Sequence, residues 1–208
     1  MTGADVAKTI IEMKEGTPRF TDWDVLQGLI QPCDREAEWV IGRNNYTFWW
    51  WLGHYFSPKH VLEIGCRYGY SLWAVADGSA IAPNKMTLTV YDAELDDDVE
   101  PLKVMEAWFT DKGYTNLHVH RENTQSLSGL TVTAPVDVAT VDANHSELGA
   151  YHDCGLAWDV LRPGGAMLVD DTAPGEVRIA AEQFARDKGV TWGYVPSLRG
   201  IHVILKPE

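Results

Sequence analysis

The chain has 208 residues, 45% of them hydrophobic, with nine Trp and eight Tyr; this suffices for one domain with an appendage and argues against disorder. Lys and Arg number 17 against 30 Asp and Glu, a net charge of -13, which disfavours nucleic acid or an anionic membrane as partner and suits a small neutral, cationic or metal-assisted substrate. Cys33, Cys66 and Cys154 form neither a disulfide framework nor a zinc spacing, no signal peptide is evident, and no apolar run is long enough to span a bilayer, so a soluble cytoplasmic protein is expected.

Residues 1–45 carry no strand pattern and read as a helical appendage. Val6, Ile10, Ile11 and Met13 can share one helix face. Thr21 or Asp22 can cap a second helix through Trp23, Val25, Leu26 and Ile30, which Pro32 stops. Such an appendage serves as a packing arm, a dimer contact or a substrate lid, so self-association stays open. The main domain is expected over 46–208. Its first segment, Asn44–Phe56, is apolar nearly all round and reads as a buried helix, either core or an aromatic wall for a flat substrate.

Val61, Leu62 and Ile64 read as a buried strand, followed by Gly65 and Gly69 in a turn and by a helix over 70–78. Strand, glycine turn and helix form the first unit of an open α/β sheet, with nucleotide-like ligands at the carboxyl ends of the strands. Glu63 is a carboxylate on a buried strand, costly unless something pairs with it. The spacing E-x-G-x-x-x-G departs from the dinucleotide pattern G-x-G-x-x-G and favours a ligand with positive or hydroxyl groups. A second strand, 86–91, ends at Asp92, where a ribose diol would find its acceptor. Asp96–Asp98 read as an acidic helix start, with the helix over 98–112 ended by Gly113.

A third strand, 117–120, leads into Arg121-Glu122-Asn123-Thr124, and a fourth, 136–141, ends at Asp142. The polar loop Ala143-Asn144-His145-Ser146 precedes a helix over 147–161. Pro163-Gly164-Gly165 turns the chain into strand 166–169, which ends in Asp170-Asp171. A helix over 175–188 and two strands, 190–195 and 201–205, complete the chain. The expected class is α/β: a Rossmann-like, seven-stranded, mostly parallel sheet with helices on both faces. Asp142, Asp170 and Asp171 converge on the ligand crevice, where they either hold a hard divalent cation such as Mg²⁺ or cap the helices that follow. His145 is either a general base or a loop histidine bonded to backbone.

Val61–Ser71 resembles motif I of the class I S-adenosylmethionine-dependent methyltransferases, E/D-x-G-x-G-x-G, with Arg67 at the middle glycine. Asp142-Ala143-Asn144-His145-Ser146, Asp153, Leu161-Arg162-Pro163-Gly164-Gly165 and Asp170-Asp171 resemble the macrocin-type O-methyltransferases, whose form is D-G-D/N-H-S-Y, an acid on the next helix, L-x-P-G-G and D-D or E-D. The resemblance covers roughly residues 55–208 and implies a last strand inserted antiparallel. It implies S-adenosylmethionine at Glu63, Gly65, Cys66, Gly69, Ser71 and Asp92, with Asn123 at the adenine amine. It implies Mg²⁺ at Asp142, Asp170 and Asp171, although some relatives use no metal, and His145 as base toward a small hydroxylated acceptor. Ala143 and Glu147 replace the usual Gly and Tyr, which bears on the acceptor. The rival readings are a nicotinamide-dependent oxidoreductase and a non-catalytic protein that keeps the fold.

Overall fold

The strands are β1 (His60–Ile64), β2 (Thr87–Tyr91), β3 (Asn116–His120), β4 (Val136–Val141), β5 (Leu161–Val169), β6 (Trp192–Val195) and β7 (Ile201–Leu205). The computed structural model describes residues 1–14, 36–93, 100–173, 175–197 and 199–208. The helix expected over 22–30, Cys33 and the acidic run Asp96–Asp98 lie outside the described residues. The helices are α1 (Gly3–Lys14), α2 (Glu36–Phe56), α3 (Tyr70–Gly78), α4 (Pro101–Asp111), α5 (Glu147–Val160) and α6 (Glu176–Asp187).

All seven strands join one sheet in the order β3-β2-β1-β4-β5-β7-β6. β1 to β5 pair in parallel, whereas β7 runs antiparallel to both β5 and β6. The reason is chain length. Residues 196–200 between β6 and β7 are too few for a crossover helix, so the chain can only return antiparallel. From β1 the chain steps outward to β2 and β3, then comes back to β4 on the other side of β1. That reversal opens a crevice at the carboxyl ends of β1 and β4, where α/β sheets bind ligands.

Both sheet faces are covered, which is why the central strands read as continuous apolar runs. Val61, Leu88, Val90, Val138 and Leu168 face one apolar cluster with Val6, Trp49, Leu52, Trp73 and Phe109 from α1 to α4. Leu62, Ile64, Ala139, Val141 and Met167 face the other, with Cys154, Trp158 and Phe184 from α5 and α6. Strand alternation therefore puts Glu63 on the same face as Val61, toward α3. In the aromatic segment, Phe48, Trp49 and Leu52 are buried in the core, and Trp50, Trp51, Tyr55 and Phe56 pack against it. Here α2 and α3 meet backbone to backbone: a Cβ at Gly53 would lie 2.1 Å from the Val75 carbonyl oxygen.

β5 begins at Leu161, five residues before its expected start at 166, and takes in Pro163-Gly164-Gly165. Gly164 at φ 72 and a register shift between Val136 and Val138 absorb the irregularity. A turn signal in the sequence is thus a kink inside a strand.

Candidate active site

The ladder registers place four residues in one transverse row. Ile64 pairs with Tyr91 on one side and Val141 on the other, and Val141 pairs with Val169. The next residue on each strand is Gly65, Asp92, Asp142 or Asp170. Their backbone amides continue the ladder: Gly65 N donates to Tyr91 O at 2.8 Å, Asp142 N to Ile64 O at 2.8 Å and Asp170 N to Val141 O at 3.0 Å. Three carboxylates and a glycine turn therefore line one rim of the sheet.

Glu63 lies two residues below this rim and is fully buried. The Ser71 hydroxyl on α3 donates to its Oε1, and its Oε2 has no protein partner. Burial pushes the Glu63 carboxyl up to about 8, against the Ser71 hydrogen bond, which pulls it down. An orphaned, buried carboxylate oxygen of this kind fits a ligand cation or hydroxyl.

The loop above Glu63 holds three alternate residues in the left-handed region: Gly65 at φ 81, Arg67 at φ 49 and Gly69 at φ 77. A Cβ at Gly65 would lie 2.2 Å from the Asp142 carbonyl oxygen and 2.5 Å from Ala143 Cα, so only glycine fits there. Arg67 keeps the glycine-type backbone at the middle position, at a cost of about 1 kcal/mol. Asp92 offsets part of that cost: its Oδ2 accepts from Cys66 N at 2.8 Å and from Arg67 N at 2.7 Å. We therefore expect Arg67→Gly to keep the fold, shifting Tm in scanning calorimetry by less than about 4 °C. Gly69 is the N-cap of α3 and offers no side-chain cap, so the first-turn amides of α3 remain for a carboxylate or phosphate.

The Cys66 amide is held by Asp92, and burial pushes its thiol pKa up, with the Glu63 charge adding to the shift. Asn123 N-caps a short turn over Thr124–Ser126, its Oδ1 accepting from Gln125 N at 3.0 Å. That turn is moored by the buried Asp153 of α5, which accepts from Thr124 Oγ1 at 2.7 Å and Gln125 Nε2 at 2.8 Å.

Across Gly65 lies the second cluster. His145 Nε2 sits 3.3 Å from both Asp142 Oδ1 and Asp171 Oδ2. One ligand atom from each of the three lies within 4.8 Å of the others. Asp170 is 5% exposed and its Oδ1 has no protein partner. Burial, then the charges of Asp142 and Asp171, push its carboxyl well above the usual range. Burial also raises Asp142, opposed by the His145 hydrogen bond, and that bond in turn raises His145. The capping alternative does not hold: Ser146 caps α5, accepting from Gly149 N at 3.1 Å, and the N-cap of α6 is Gly175, with no side-chain cap. The donor set fits a divalent cation. Carboxylate oxygens suit Mg²⁺, and the imidazole also admits Mn²⁺.

Two residues at the cluster escaped the sequence reading. Arg199 Nη1 lies 3.4 Å from Asp171 Oδ2. Burial opposes its charge, but Asp171, Asp142 and Asp170 outweigh it and hold the guanidinium above its usual pKa. Tyr46 of α2 faces the same cluster, its phenol pushed up by burial and then by Asp170 and Asp142. The signal for Arg199 lies in topology: an antiparallel β7 beside β5 brings the β6–β7 turn to the rim.

A family model described as a methyltransferase domain matches residues 62–172, from β1 to the end of the Asp170-Asp171 segment. No curated protein sequence matches the chain. Among solved structures, a methyltransferase of Podospora anserina, PaMTH1, bound to S-adenosylhomocysteine, is 15% identical with a TM-score of 0.70 over 98% of this chain and 96% of that one. The O-methyltransferase TomG of Streptomyces achromogenes, solved with S-adenosylmethionine, is 17% identical at 0.62 over 99% and 97%. An O-methyltransferase of Bacillus cereus, solved with S-adenosylhomocysteine, is 12% identical at 0.62 over 98% of each chain. At such identities the likeness is one of fold.

Proposed function

We propose, from the premise that this chain belongs to the methyltransferase-domain family and is a class I S-adenosylmethionine-dependent methyltransferase, that it is an O-methyltransferase acting on a small hydroxylated molecule, with Mg²⁺ assisting. The observation that carries this reading is the rim itself: Glu63 and Asp92 flank the glycine loop, and the His145 cluster begins where that loop touches Asp142.

The donor supplies a sulfonium methyl. Asp92 would accept the ribose hydroxyls while holding the Cys66 and Arg67 amides. Glu63 would face the ammonium of the amino-acid moiety, and the α3 amides its carboxylate. Ser71 would orient Glu63. His145 would take the acceptor hydroxyl proton at Nδ1, with Asp142 and Asp171 at Nε2 aiming the ring and favouring its charged form. The acceptor oxygen then bonds the methyl carbon, the carbon–sulfur pair returns to sulfur, and the neutral thioether leaves. Asp142, Asp170 and Asp171 would hold the metal, which when bound lowers the pKa of a coordinated hydroxyl. Most of the acceleration would come from alignment of the two reactants.

Calorimetry with S-adenosylhomocysteine and with NAD tests the assignment. S-adenosylhomocysteine should bind, and Asp92→Ala should weaken it by about 10²-fold, since hydrogen bonds to a charged group contribute about 1.5–3 kcal/mol each. Binding of NAD alone would favour an oxidoreductase instead.

Glu63 adds a pH signature. A carboxyl with a folded pKa of about 8 is mostly protonated below that value, and a ligand ammonium favours its ionised form. Ligand binding should therefore release a proton, and affinity should rise with pH through about 8. The free protein should show the opposite sign: Glu63 stabilises the fold fully below 4.5, and that contribution is lost as pH rises toward about 8. Titrations in buffers of different ionisation enthalpy would measure the proton, and Glu63→Gln should abolish it.

A further inference from the structure

We infer that Arg199 is a built-in counter-cation for Asp142, Asp170 and Asp171, and that it competes with a divalent metal for them. This deepens the methyltransferase reading and rests on it for the meaning of the site. A cluster of three carboxylates beside a buried Glu63 calls for positive charge. The unpartnered Oδ1 of Asp170, in a residue 5% exposed, marks where that charge is missing. Among the described residues, Arg199 is the side chain that brings a permanent charge to the cluster by ion pair, 3.4 Å from Asp171 Oδ2.

The main chain of Arg199 is held by hydrogen bonds, whereas its side chain is largely exposed. Ala173 N donates to Arg199 O at 2.5 Å and Thr172 N to Gly200 O at 3.1 Å, so the β6–β7 turn is pinned to the segment that carries Asp171. Gly200 has φ 79, and a Cβ there would lie 2.8 Å from Ala173 N, so the chain at Gly200 has no slack. The side chain, in contrast, is 60% exposed, and its 3.4 Å contact is longer than a tight charge-assisted bond of about 2.8 Å. Arg199 can therefore swing aside when a metal arrives, leaving Asp171 Oδ2 to the ion. Metal affinity is then set by a difference between two cations, and Arg199 is a positioning residue with adjustable occupancy.

Electron paramagnetic resonance of Mn²⁺ titrated into the full chain tests this. Removing one unit charge a few ångströms from the ion in a partly solvated site is worth about tenfold in affinity. Arg199→Met should therefore tighten Mn²⁺ binding about tenfold, and the charge-preserving Arg199→Lys should stay within about threefold of the parent. If Arg199→Met fails to fold, Arg199→Gln gives the same readout. Equal affinity in all variants, weaker binding without the arginine, or no binding by any of them overturns the inference. Calorimetry with S-adenosylhomocysteine on the same proteins, without metal, reads the methyltransferase assignment separately. A chain that shows the manganese shift but never binds S-adenosylhomocysteine would sink the assignment and leave the competition standing.

Discussion

His145→Ala should lower kcat by about 10²–10³-fold and change S-adenosylhomocysteine affinity by less than about threefold. The split follows from geometry. His145 is half exposed, in a loop, and touches Asp142 and Asp171 rather than Glu63 or Asp92. Its loss removes a proton acceptor and leaves the donor seat intact. His145→Gln separates base from spacer, because an amide can keep a hydrogen bond to Asp142 but cannot take a proton. Activity of both variants should recover with rising pH as the acceptor hydroxyl ionises in solution. A His145→Gln protein with parental kcat would mean that the ring only orients the acid pair.

Gly65→Ala should cost about 3 kcal/mol or more, lower Tm by about 10 °C and abolish measurable donor binding. Two penalties add. A side chain at φ 81 is strained, and its Cβ would stand 2.2 Å from the Asp142 carbonyl oxygen, where backbone cannot yield cheaply. Gly113 supplies the control: it has φ 86 but no atom within 4 Å of the added Cβ, so Gly113→Ala should cost only about 1 kcal/mol. Differential scanning calorimetry of the pair separates conformational strain from collision. Because Gly65 contacts the strand end that carries Asp142, its replacement should displace both halves of the site at once.

Much of this architecture was legible because of how it is buried. Strands covered on both faces read as short apolar runs, and Val61–Ile64, Thr87–Tyr91 and Val136–Val141 match their expected spans to within a residue. The acids Asp92, Asp142 and Asp170 stood out because each ends such a run, and the parallel register then aligns those ends in one row. Other features depend on distant chain. Pro163-Gly164-Gly165 looks like a turn, yet pairing with β4 holds it within β5. Arg67 breaks the glycine pattern in the sequence while keeping its backbone, since Asp92 holds the two amides around it. Ser146, not an aspartate, caps α5, which frees Asp142 for the crevice. Arg199 was missed because a turn residue acquires its partner only through tertiary pairing, here the antiparallel insertion of β7 beside β5.

A crystal structure of the chain with S-adenosylhomocysteine bound tests the central claim most directly. The account predicts the ribose hydroxyls on Asp92, the amino-acid moiety between Glu63 and the start of α3, and the sulfur turned toward His145. A ligand seated elsewhere, or one whose sulfur points away from the Asp142 and Asp171 pair, would contradict it.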